Sequence, residues 1–100
     1  MNYIDETATE DAKQALAELQ QRGVVGADWR LHLAEVIPII GKERENEGWW
    51  EYRISYRKDS VEEGFFMSFV FPPNSGGKSV QERIKQEFRE RKDSPYLQKE

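Results

Sequence analysis

Cysteine is missing from all 100 residues, which excludes disulfides, thiolate zinc sites and thiol catalysis. Histidine occurs once, at His32, so a histidine-built general base or zinc site would have no companion at ligand spacing. His32 is expected to face solvent or satisfy a local hydrogen bond. Long apolar runs are missing too: no segment approaches the roughly 20 apolar residues that span a bilayer. The opening Met1-Asn2-Tyr3-Ile4, followed by acidic residues, has neither the basic start nor the apolar stretch of a secretion signal. These absences predict a single domain over residues 1–100 in the cytoplasm, with no membrane partner, no metal and no cofactor.

Charge is unevenly spread. Residues 1–50 hold 5 Lys/Arg against 10 Asp/Glu, whereas residues 51–100 hold 10 against 9. An acidic front half argues against coating by nucleic acid over the whole surface and leaves room for a basic partner or a local basic strip.

Aromatic side chains are concentrated in two neighbouring stretches that alternate with the two-residue period of a strand. In Trp49 to Arg57, Trp50, Tyr52, Ile54 and Tyr56 share one face, and Glu51, Arg53, Ser55 and Arg57 the other, the pattern of a half-buried strand. In Phe65 to Phe71, one face holds Phe65, Met67, Phe69 and Phe71, while the opposite face holds Phe66, Ser68 and Val70. That strand is apolar on both sides, so its second face lies under another layer or meets a partner. The segment Trp29 to Ile40 fits both a strand and a helix stripe. Pro38 within it is tolerated by an edge strand and not by a helix interior, which favours an edge strand with a bulge near Ala34 to Val36. Glu43 to Gly48 and Lys58 to Gly64 are expected to be the hairpin turns.

Helices are expected at both ends. Thr7-Ala8-Thr9-Glu10 has the form of a capping box, Ala8, Ala12, Ala15, Leu16 and Leu19 recur at helical spacing, and Arg22-Gly23-Val24 supplies a left-handed glycine stop, giving a helix from about 8 to 22. After the Pro72-Pro73-Asn74-Ser75-Gly76-Gly77 loop, Ser79-Val80-Gln81-Glu82 has the same capping form. Val80, Ile84 and Phe88 make a narrow stripe, and Asp93-Ser94-Pro95 ends the run near Lys92. The expected fold is α+β: a three-stranded antiparallel meander with an N-terminal and a C-terminal helix, in the order α-β-β-β-α.

Two motifs touch on phosphate chemistry. Asn74 to Ser79 ends in the Gly-Lys-Ser of a phosphate-cradling loop, but Pro72 stands where that pattern needs its first glycine; a plain loop leading into a capped helix is expected. The last helix carries Lys78, Arg83, Lys85, Arg89, Arg91 and Lys92 against Glu82, Glu87 and Glu90. The α-β-β-β-α order, with Gly76, Gly77 and Lys78 at the entry to the final helix, resembles the double-stranded RNA-binding domain. That family has a second lysine beside the first and an alanine-rich helix after it, and this chain has neither. The resemblance implies that Lys78, Arg83, Lys85 and Arg89 would meet phosphates across a groove. The spacing of Arg83, Glu87 and Arg91 also suits pairing along a solvated helix face.

Glu43, Glu45, Glu47, Glu62 and Glu63 lie in expected turns without the pattern of a calcium loop, and no serine sits in a nucleophile elbow. No catalytic residue is therefore expected. Trp49 and Trp50 are adjacent and must point to opposite faces. If Trp50 enters the core, Trp49 joins Phe66 and Val70 outside, rimmed by Glu51, Arg53 and Arg57, a composition typical of interface anchors. The expectation is a small acidic, non-enzymatic module that binds another protein or a second copy of itself. It would suit an inhibitor or adaptor of a basic nucleic-acid-handling partner, for example one made by a bacteriophage or its host; nucleic-acid binding through the last helix is the alternative.

Overall fold

A computed structural model describes residues 3–39, 48–59, 64–73 and 75–91. The elements are α1 (Tyr3–Gln21), β1 (Trp29–Pro38), β2 (Trp50–Lys58), β3 (Gly64–Phe71) and α2 (Lys78–Glu90). The strands form one antiparallel sheet in the order β1-β2-β3, so the architecture is the α-β-β-β-α meander that the sequence periodicity predicts. Both helices lie against a single face of the sheet.

Helix α1 begins at Tyr3, ahead of the Thr7 start expected from the capping motif. Thr7 to Glu10 is therefore interior helix, and Glu6 lies near the N-terminal end, where a carboxylate opposes the positive end of the helix dipole. The C-terminus is closed as expected. Gly23 adopts φ 72, its N–H donates to Gln20 O, and the Val24 N–H donates to Leu19 O, the paired bonds of a Schellman stop. Ala8, Ala12, Ala15, Leu16 and Leu19 are all buried. Three of these side chains are alanines, which lets the helix approach the sheet closely. At its exit the Gln20 amide donates to Gly26 O and Trp29 O, each at 2.9 Å, fixing the end of the helix to the start of β1.

β1 is the edge strand that Pro38 requires, but its bulge lies between Leu31 and Leu33 and not near Ala34 to Val36. Leu31 pairs with Tyr56 and Leu33 with Ser55, leaving His32 as the extra, exposed residue. An inserted residue reverses the alternation. Trp29 and Leu31 point to the core before the bulge, Ala34 and Val36 point there after it, and Leu33 is turned out.

Between sheet and helices lies one core, built from Tyr52, Ile54, Tyr56, Phe65, Met67 and Phe69 against Val80, Ile84, Phe88 and the α1 stripe. Phe88 is its hub, with ring centroids 5.1 Å from Tyr56 and 4.8 Å from Phe65. Tyr56 is fully buried because its hydroxyl donates to Ala12 O at 2.9 Å, which satisfies the one polar group the ring carries into the core. Each such buried side chain contributes about 1.5–3 kcal/mol.

Helix α2 starts without the capping box expected from Ser79 and Glu82. Its N-cap is Gly77 at φ 67 and no side chain within the helix caps it. Asp11 of α1 takes that role from 66 residues away: one carboxylate oxygen accepts the Gly77 N–H at 2.9 Å and the other accepts the Gln81 amide at 3.0 Å. The φ of 67 at Gly77 is what glycine permits and a β-carbon would strain. The helix ends at Glu90, and Arg91 N–H donates to Glu87 O. The expected stop at Asp93 to Pro95 and the turn carboxylates Glu43, Glu45, Glu47, Glu62 and Glu63 lie outside the described residues.

Candidate functional site

The helices leave one sheet face uncovered among the described residues, and strand pairing sets its composition. Across β1, β2 and β3 the outward side chains form lateral rows: Arg30, Arg57 and Gly64; Leu33, Ser55 and Phe66; Glu35, Arg53 and Ser68; Ile37, Glu51 and Val70. Leu33 and Phe66 are the exposed large hydrophobics, at 46% and 50%. Neighbouring strands are about 4.8 Å apart, so these two side chains stand about 10 Å apart with only Ser55 between them. The one side chain between them in this row is the small Ser55, so the row forms an apolar patch on the open face.

Charge surrounds this patch. Arg53 Nε donates to Glu51 Oε2 at 2.9 Å, and Ser68 Oγ donates to the same oxygen at 3.3 Å. The bond to Glu51 holds the Arg53 guanidinium above its ordinary value, with Glu35 adding a weaker attraction. Arg30 pairs with Asp59 at the far end of the face. The result is an apolar strip between the Arg30 and Arg57 row on one side and the Glu35 and Arg53 row on the other, with Arg53 paired to Glu51 of the row beyond, the layout of a protein-contact surface with a polar rim.

Of the six side chains expected here, Phe66 and Arg57 are exposed, whereas Glu51, Arg53, Val70 and Trp49 are half-buried. Trp49 precedes β2, with its carbonyl accepting the Ile39 N–H at 2.8 Å; it flanks the face and is not a fully exposed anchor. Leu33, Glu35 and Ile37 were not expected on this surface. Their one signal is the strand reading of Trp29 to Ile40, and it assigns Leu33 the wrong side unless the bulge is placed at His32.

The basic residues of α2 do not form one strip. Lys85 is buried, at 5% exposure, and its ammonium bridges Glu18 of α1 and Glu82. These hydrogen bonds raise the Lys85 pKa and lower those of Glu18 and Glu82. Arg83 donates to Glu87 at 3.1 Å and lies over the Phe69 ring, 5.4 Å from its centre. Lys78 and Arg89 are exposed. At the head of this helix the Asp11 carboxylate occupies the position an anion would take. Nearby, the Tyr52 hydroxyl donates to Ser75 O at 2.8 Å, and burial, with Asp11 as a second cause, pushes its pKa up to about 12.

Among the described residues no three or more histidine, aspartate or glutamate side chains converge as a metal site, and no described helix is long and apolar enough to cross a membrane. No family model matches this chain, and neither a curated protein nor a solved structure matches it.

Proposed function

We propose that this chain is a small, non-enzymatic cytoplasmic binding module that docks the uncovered face of its sheet onto another protein. The observation that carries this reading is the pair Leu33 and Phe66, held half out of the molecule on either side of Ser55. Each exposes apolar surface that binding would remove from water, at roughly 25 cal/mol per Å². Rigid strands display them, so little conformational entropy is lost on docking. The rim is mixed in sign, with Glu35 and the Glu51–Arg53 pair on one side and Arg30 and Arg57 on the other, which suits a partner that carries charges of both signs around an apolar centre. An inhibitor or adaptor role toward such a partner is consistent with that chemistry.

Two placements favour protein over nucleic acid as the ligand. Lys85 is committed to two carboxylates between the helices, and Arg83 to Glu87 and Phe69, which leaves only the well-separated Lys78 and Arg89 from the four basic residues that would grip phosphates. Asp11 also supports the non-enzymatic reading, because it fills the anion position at the start of α2 with the protein's own charge.

The test is a purified partner, isolated by affinity capture from the native host and then titrated against variants. Leu33→Ser and Phe66→Ser should each weaken binding at least about tenfold, with little dependence on salt. A ligand whose binding ignores both substitutions and falls steeply with salt would instead be held through phosphate contacts, and the reading would be withdrawn.

A further inference from the structure

The two edges of the sheet are built differently. β1 carries three devices that discourage another strand from adding to it: the bulge at His32, Pro38 near its end, and the charged Arg30 and Glu35. β3 has none of them. Gly64–Phe71 contains no charge and no proline, and its register with β2 runs without interruption from Gly64 to Phe71. Being last in the sheet order, it has no strand on its outward side among the described residues.

We propose that β3 pairs antiparallel with β3 of a second copy of this chain, about a twofold axis through Ser68, giving a continuous six-stranded sheet. Directly opposed residues of an antiparallel pair point to the same side. The axis therefore sets Ser68 against itself, Phe66 against Val70 of the second copy on the outer face, and Met67 against Phe69 on the helix-covered face. No ionised side chain meets its like along the strand, which matters for two molecules that each carry a formal charge of −4.

Charges beneath the edge supply the complementarity. Phe88 meets both Tyr56 of β2 and Phe65 of β3, so the core stripe of α2 sits between these strands. Arg83 over the Phe69 ring and Arg91 over the Phe65 ring, 5.4 and 5.2 Å from their centres, show that the helix runs antiparallel to β3 with this flank at the β3 edge. That leaves two paired copies of α2 about 8–10 Å apart, the spacing of packed helices. Glu87, ion-paired with Arg83 at 3.1 Å and Arg91 at 3.6 Å, falls between them, level with Met67. Because the axis opposes Met67 to Phe69, Glu87 of each copy faces Arg83 of the other. The alternation of sign along α2 is thus self-complementary for this one register. The contact uses an edge, whereas the proposed docking function uses a face, and pairing would place two Leu33/Phe66 patches on one continuous surface.

Sedimentation equilibrium of the full chain tests this. A dimer is expected at micromolar protein. Ser68→Lys, which puts two ammonium groups face to face at the axis, should raise the dissociation constant at least about tenfold with an unchanged far-ultraviolet circular dichroism spectrum. Ser68→Cys introduces the sole thiol of the chain, and twofold-opposed positions sit about 4.5–5.5 Å apart between Cα atoms, within disulfide reach. It should form a covalent dimer on mild oxidation, and Leu33→Cys on the guarded edge should not. The cross-link keeps the test valid even if Ser68→Lys fails to fold. A chain that stays monomeric at roughly 100 μM, as expected if the edge accepts only a strand from another protein, overturns the proposal. So does cross-linking through Leu33→Cys but not Ser68→Cys. Leu33→Ser lies two strands from the axis and should leave the dimer intact, which separates this contact from docking by the outer face.

Discussion

Phe65 and Phe66 are the same side chain at consecutive positions of one strand, yet one is 1% exposed and the other 50%. Their difference is the pleat: the first enters a core closed by Phe88 and Arg91 of α2, and the second stands on the face that no described element covers. The inner face is where the fold gains its stability. Phe66 stands on the outer face with half of its surface in water, where it contributes little to that stability. The largest test of this division is on the inner side. Phe65→Ala should destabilise the chain by about 3–5 kcal/mol, the range for emptying an aromatic core position, and urea unfolding followed by tryptophan fluorescence would measure it. A loss below about 1 kcal/mol would mean that the inner face is far less tightly packed than its burial implies.

The same two faces explain what was readable from the sequence. Period-two alternation in β2 and β3 and the Val80, Ile84, Phe88 stripe of α2 report local geometry, and local geometry follows from residue spacing. Apart from the start of α1, the features that escaped are set by strand pairing and tertiary packing. A bulge inserts a residue with no compositional mark of its own, so the run Trp29, Leu31, Leu33 looked uninterrupted although its side assignment reverses at His32. Both capping boxes were sound local motifs outcompeted by other arrangements: α1 simply continues back to Tyr3, and α2 is capped by a carboxylate on another helix. Lys85 resembled its exposed neighbours until the packing of α1 on α2 placed Glu18 beside it. Of the candidate site, Phe66 and its charged rim were legible because they alternate with core residues, whereas Leu33 was hidden by the bulge.

Asp11 offers the next largest effect, and it also belongs to the covered side. Asp11→Ala leaves the Gly77 N–H and the Gln81 amide without acceptors in a site where Asp11 itself is 5% exposed. A loss of about 1–3 kcal/mol is expected, again by urea unfolding. Asp11→Asn should retain part of it, since an amide oxygen can still accept from Gly77 while its NH₂ group opposes that of Gln81. An Asp11→Asn variant as stable as the parent, beside a destabilised Asp11→Ala, would show that the side chain fills space and does not act as the cap.

Acid and base should act on the covered side as well. Glu18 and Glu82 have pKa values lowered by hydrogen bonds from Lys85. Their contribution is present above the ordinary carboxylate value of 4.5 and is lost as pH falls through the depressed folded values. Tyr52 works in the opposite direction. Its pKa is raised from 10.0 to about 12, so its contribution is present below 10.0 and is lost as pH rises through about 12. Lys85, also raised, adds to the loss above 10.5. A stability plateau between these limits is expected, and Lys85→Met should flatten its acid limb. Superimposable acid limbs for the parent and Lys85→Met would break the link between the two helices and that titration.

The smallest expected change is on the outer face, and it bears most directly on function. Phe66→Ser removes a large ring from the surface without opening a cavity, because half of that ring already meets water. Its stability should therefore stay within about 0.5 kcal/mol of the parent, the usual range for a surface substitution. Strand propensity alone pulls the other way, since phenylalanine favours a strand over serine by a fraction of the roughly 1 kcal/mol scale; a measured loss of a few tenths would be that term. A loss approaching that of Phe65→Ala would mean that the ring is packed within its own molecule, and the outer face would cease to be a candidate contact surface. A near-neutral result leaves an apolar ring that stability does not require, and this is the property expected of a side chain displayed for a partner.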